Sequence, residues 1–141
     1  MQSPKLNFSP RGLFIGGRWV APADDRSFVS INPFNHPFRF CAEKAAAPLA
    51  AGNTVVIKGS EQAPLSSLCL AELCAGIFPD GVVNIIAGDG SVGAALVRHP
   101  NVRRIGFVGS VPTGRAIAQA AAADLKRTRI PKRRRSPLSR A

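Results

Sequence analysis

No apolar run in this chain of 141 residues is long and uninterrupted enough for a membrane span. The N-terminus lacks the basic stretch, apolar core and small-residue cleavage site of a secretory leader, so a cytoplasmic location is expected. Cysteine is scarce. Cys41, Cys69 and Cys74 make an odd set without a Cys-x-x-Cys pair, which argues against a disulfide framework and against a structural zinc site. Positions 69 and 74 are five apart, about 140° around a helix, so the two thiols would not share a face. All three read as small buried hydrophobes, and no metal site is expected. His36 has no Ser, Cys or acid at a recognisable catalytic spacing and His99 precedes Pro100 at a helix end, so both read as structural.

Acidic residues are also few, eight against 19 Lys or Arg, for a formal net charge of +11. The imbalance is local. From Lys126 to the end there are eight bases and no acid, whereas residues 1–125 hold 11 bases against the eight acids. The body is only mildly basic, so its partner cannot be read from the total charge.

What is present fits one soluble globular domain of ordinary size, 45% hydrophobic and 19% charged. GLFIGGRWV, residues 12–20, is two short apolar strands around a Gly-Gly turn, a hairpin that is not stable alone. A polar connection with prolines follows through residues 21–33. Then the pattern takes on a beat. Helices are predicted over 38–51 (closed by Gly52, with Pro48 bending or shortening the last turn), 63–78, 91–98 and 112 to about 126, with strands over 54–58, 82–87 and 103–108 between them. In the second helix Leu65, Leu68, Leu73 and Ile77 fall near helical spacing, and Pro64 suits its first turn. Short apolar strands alternating with helices imply an α/β fold: a parallel sheet joined by right-handed crossovers, with ligands beyond the carboxyl ends of the strands.

Four loops are candidates on that basis. GDGSVG, 88–93, has the Gly-x-Gly-x-x-Gly form between a strand and a helix, but Phe107 to Ser110 hold the place where a ribose-binding acid belongs. A tight glycine turn that lets helix and strand pack closely explains it better. GSVPTGRA, 109–116, has the two glycines of a phosphate loop but Arg115 and Ala116 where lysine and a hydroxyl are needed, which argues against a nucleoside triphosphatase. Ser110 at the helix start suits either an anion or a plain N-cap. VIKGSEQAP, 56–64, ends a strand on Lys58 with Glu61 three residues on, either a solvated charge pair or a clamp for the two hydroxyls of a ribose. Asn35, in the proline-flanked turn INPFNHPF, either bonds its own backbone or donates to an oxyanion.

Taken in order, PFNHP, AAPLAAGNTVVIKGSEQAPL, FPDGVVNIIAGDG, IGFVGSVPTGR and DLKR resemble the aldehyde dehydrogenase superfamily over residues 31 to about 127. LFIGGRWV resembles that family's opening hairpin. The resemblance implies a partial Rossmann-like sheet with flanking helices. The chain would then comprise an arm with a β-hairpin (1–30) and a partial dinucleotide-binding domain (31–127), followed by a basic tail (128–141) that has no apolar period to fold and is expected to be disordered. In the family a thiolate attacks the aldehyde, NAD or NADP is reduced, and water releases the acid. The resemblance assigns Asn35 to the oxyanion, Pro33 and Phe34 to the border of the nicotinamide half, and Lys58 and Glu61 to the adenosine ribose. It assigns Gly109 and Ser110, with Phe107 and Thr113 alongside, to the pyrophosphate, and Gly90 to the adenine end. Glu61 points to NAD rather than NADP, since its charge repels a 2′-phosphate.

Departures from the family carry their own expectations. The stretch between hairpin and PFNHP turn is absent, the general base in its Glu-Leu-Gly-Gly-Lys setting is not found, and no cysteine here takes the nucleophile's place. The 141 residues alone are therefore expected to be catalytically inert, the aldehyde being a partner only of the complete family enzyme. TRIPKRRRSPLSRA matches nothing in the family and suits a shifted reading frame. The competing reading makes the chain a basic module whose tail binds nucleic acid or another anionic surface. The tail has no aromatic residue to stack a base, so nucleic acid is not the expected partner.

Overall fold

The computed structural model describes residues 12–21, 37–61 and 63–130. They divide into two units at Asp89 and Gly90.

The first unit is built on a sheet of four strands. β1 (Leu13–Ile15) and β2 (Arg18–Val20) form the predicted hairpin, in register Leu13 to Val20, Phe14 to Trp19 and Ile15 to Arg18. Gly16 and Gly17 make its two-residue turn with φ of 58° and 74°, the left-handed pair that a tight hairpin of native twist demands. The hairpin does not stand alone. β1 adds antiparallel to β4 (Val83–Ile86), Phe14 facing Ile85, and β3 (Val55–Lys58) pairs parallel with the other side of β4. The order β2-β1-β4-β3 thus joins the expected parallel crossover to an antiparallel edge.

Asn84, the polar residue in an apolar strand, fixes that junction. Its side chain accepts from Gly16 N–H at 3.0 Å and donates to Gly81 C=O at 2.8 Å. Alternate residues of the strands face the core: Phe14, Val83 and Ile85 are buried with Leu68 and Ala71, and Leu49, Val55 and Ile57 pack against them. Phe14 and Trp19 meet edge to face with centroids 5.4 Å apart, a contact that adds about 1 kcal/mol to the burial of the rings.

α1 (Pro37–Ala50) and α2 (Pro64–Cys74) supply the helical side of this core through Leu49, Leu68 and Ala71. α1 runs through Pro48 and then closes as the glycine signal predicts: Gly52 takes φ +75°, its N–H donates to Leu49 C=O, and Asn53 N–H donates to Pro48 C=O. α2 is shorter than the predicted 63–78. The chain leaves the helix at Ala75, whose backbone is extended, and Gly76 follows left-handed at φ +75°. Its buried stripe is Pro64, Ser67, Leu68 and Ala71, while Leu73 and Ile77 are 50% and 71% exposed. The large apolar residues misled there, because the inward face is made mostly of small ones.

The second unit contains α3 (Gly90–Arg98), β5 (Arg104–Gly106), α4 (Val111–Ala122) and β6 (Arg127–Arg129). β5 pairs parallel with β6 in a sheet of its own. The last helix stops at Ala122 rather than near 126, and β6 takes up residues that composition alone assigns to the helix end and the tail. No apolar alternation marks Arg127–Arg129 as a strand, so periodicity had nothing to detect. Lys126 locks the connection. Its side chain, 4% exposed, donates to Val97 C=O at 2.7 Å and His99 C=O at 2.8 Å at the end of α3, the latter carbonyl also accepting from Val102 N–H, and it pairs with Asp124. No helix among the described residues is long and apolar enough to cross a membrane.

Candidate functional site

In the first unit, the carboxyl end of β3 carries the strongest candidate. Lys58 is the last residue of the strand, held in register with Ile86, and the ladder continues one step as Gly59 N–H donates to Ile86 C=O at 3.2 Å. Strand alternation puts Val55 and Ile57 toward the core and Lys58 on the opposite face with Val56, which is 49% exposed. The chain then turns quickly into α2, with Ala63 N–H donating to Ser60 C=O at 3.2 Å. Glu61 lies exposed in that turn. Lys58 and Glu61 form no ion pair with each other among the described residues, so each head group is open to a ligand.

The tightness of this turn has a cause that sequence reasoning missed. Gly59 is buried, and a Cβ there would overlap the Ser67 side chain. Ser67 is fully buried and donates its hydroxyl to Pro64 C=O at 2.7 Å. Only a glycine lets the strand end lie directly on the first turn of α2. A glycine following an apolar strand, with a serine in the next helix, was the available signal.

In the second unit, Phe107, Gly109, Ser110 and Thr113 gather at the N-terminus of α4. Ser110 is the N-cap: its Oγ accepts from Thr113 N–H at 3.3 Å and lies 2.8 Å from Thr113 Oγ1. Pro112 has no N–H, and Gly114 N–H donates to Ser110 C=O at 3.0 Å. The first turn thus answers most of its own donors, the plain-cap alternative. The Phe107 ring covers Gly109, where a Cβ would overlap it, and lies beside buried Gly114. Gly90 opens α3 with empty space where a Cβ would stand, as does Gly93, so neither glycine is there for close packing. Pro33, Phe34 and Asn35 lie outside the described residues, as does the end of the tail from Pro131.

Of the three thiols, all are partly buried. Burial pushes Cys41 and Cys74 above the ordinary thiol range. That is the wrong direction for a nucleophile, which needs its thiolate stabilised.

β3, β4 and β5 each pass through a polar loop into a helix, the arrangement of an α/β protein. The sequence model of the aldehyde dehydrogenase family matches residues 27–130, and the chain belongs to that family. The matched residues include β6. The chain is 51% identical over 94 residues to the aldehyde dehydrogenase tropH of Talaromyces stipitatus, covering 67% of this chain and 18% of that protein. It is 46% identical over 112 residues to the betaine aldehyde dehydrogenase of Sinorhizobium fredii, covering 78% and 23%. Among solved structures it is similar to PnpE from Pseudomonas sp. WBC-3 (TM-score 0.65, 46% identity, 70% of this chain and 21% of that one). It is also similar to the aldehyde dehydrogenase of Bacillus cereus, solved as an NAD+ complex (TM-score 0.63, 41% identity, 67% and 20%). The chain thus spans about a fifth of the length of these relatives.

Proposed function

We propose that these 141 residues carry part of the cofactor site of an NAD-dependent dehydrogenase that oxidises an aldehyde to a carboxylic acid. The observation that carries this reading is the end of β3, where Lys58 closes the strand on the face away from the core and Glu61 lies exposed in the turn that follows. An ammonium donates and a carboxylate accepts, so the pair can hold two vicinal ribose hydroxyls that act both as donors and as acceptors. The fit is supported by the absence of an ion pair between them and by Gly59, which sets the turn. NAD, when bound, supplies the oxidant for the aldehyde. Glu61 would set the choice of cofactor, because its charge opposes a phosphate on the ribose 2′-oxygen.

In the second unit the family pattern assigns Phe107, Gly109, Ser110 and Thr113 to the pyrophosphate and Gly90 to the adenine end. Ser110 holds its hydroxyl in the cap of α4, so its contribution there is to shape the loop and to keep the helix start intact. The same pattern assigns Asn35 to the oxyanion, with Pro33 and Phe34 beside the nicotinamide. Neither Cys41 nor Cys74 has the environment of a nucleophile, and in this reading these residues by themselves bind cofactor without turning over aldehyde. The reading also has them in the cytoplasm and without a membrane partner.

Fluorescence titration with NADH and NADPH tests the assignment. Wild type is expected to favour NADH. Glu61→Gln should narrow the preference, and Lys58→Met should weaken both about tenfold or more, the loss of one charge-assisted hydrogen bond. Equal affinities in all three proteins would contradict the ribose clamp.

A further inference from the structure

The net charge divides along the same line as the two units. Residues 1–89 contain seven Lys or Arg and seven Asp or Glu, whereas residues 90–141 contain twelve bases and one acid. The second unit therefore carries the whole of the +11. Its one acid, Asp124, is already paired with Lys126.

Strand pairing concentrates part of that charge on one surface. β5 and β6 align Arg104 with Arg127 and Gly106 with Arg129. Partners in register share a face, as do residues two apart in a strand. Arg104, Arg127 and Arg129 therefore stand together, and Ile105 and Thr128 take the other face. All three arginines are exposed, and no ion pair among the described residues neutralises them. Like charges opposite one another on neighbouring strands are destabilising. An anion laid across them relieves that repulsion.

The chemistry of the face narrows the anion. Strands about 4.8 Å apart and residues about 6.6 Å apart along a strand bring the three guanidinium groups within reach of neighbouring phosphates. Planar guanidinium forks suit phosphate oxygens in pairs. The face itself offers no aromatic ring to stack an unpaired base and no apolar side chain to enter a bilayer, only Gly106 besides the arginines. Both absences favour a duplex backbone over a single strand or a lipid surface. The sequence continues from β6 through Pro131 into four further bases at 132–135.

We infer that the arginine face of β5 and β6 is a docking surface for the phosphate backbone of a nucleic-acid duplex, bound without sequence preference. It is independent of the Lys58 and Glu61 site.

The test is fluorescence anisotropy of the full chain with a labelled mixed-sequence DNA duplex over a series of salt concentrations. Wild type should bind with affinity falling steeply with salt. Replacing Arg104, Arg127 and Arg129 together by Ala should lower the log–log salt slope by about 2 to 3, at about 0.9 for each phosphate no longer neutralised. Replacing the same three by Lys should keep the slope, and the single variants Arg104→Gln, Arg127→Gln and Arg129→Gln, each expected to lower it by about 0.9, decide the matter if the Ala variant does not fold. Removing residues 131–141 should leave measurable binding that still depends on the three arginines. Binding that disappears with residues 131–141, a slope unchanged in the Ala variant, or association with phosphatidylserine vesicles but not with DNA would each overturn the inference.

Discussion

Among single residues, the thiols show how surroundings set chemistry. Cys41 and Cys74 are both displaced upward by burial, which disfavours the charged thiolate. A group whose folded pKa is raised contributes stability that is fully present below the unfolded value, about 8.5 for a thiol, and that is lost as pH rises through the folded value. The urea midpoint is therefore expected to fall as pH climbs from about 8.5, and replacing both cysteines by Ser should flatten that fall. Alkylation of the two by iodoacetamide should run slower than that of free cysteine at about pH 8. Fast alkylation of either would mean an activated thiol and would reopen the question of a nucleophile. Sequence alone read these cysteines as small buried hydrophobes. The structure leaves all three only partly buried, a degree that composition and spacing could not supply.

Elements were legible where their signals were local. The Gly-Gly hairpin, the Gly52 helix end and the parallel β3–β4 crossover follow from turn chemistry and apolar runs. What escaped was decided at a distance. The pairing of β1 with β4 rests on Phe14 facing Ile85 and on the bond from Gly16 to Asn84, 68 residues further along the chain, beyond any local window. β6 exists through pairing with β5 and carries no apolar pattern. Lys58 and Glu61 could be named because both stand at a strand end, whereas Gly59 and Ser67, which shape the turn between them, acquire meaning only when the strand is laid on α2. Lys126 belongs to the same class. It reads as the first base of a tail, yet its ammonium closes the end of α3 and fixes the entry to β6. Lys126→Met is expected to cost about 1.5–3 kcal/mol, since two carbonyls lose a charged donor, and urea unfolding measures it. A change within a few tenths of a kcal/mol would show that water replaces the side chain.

On the scale of the whole chain, family membership, a neutral first unit and a strongly basic second unit come together in 141 residues that span about a fifth of the proteins they resemble. In the proposed reading the first unit supplies a ribose clamp, and the second unit carries a charged face that the cofactor assignment does not use. The most direct test of the cofactor reading is to map backbone amide shifts in an NMR titration of the chain with NAD. The account predicts saturable shifts at Lys58, Gly59 and Glu61 that vanish when Lys58→Met and Glu61→Gln are combined. A well-dispersed spectrum in which NAD leaves those three amides unmoved, or moves them equally in the double variant, would contradict it.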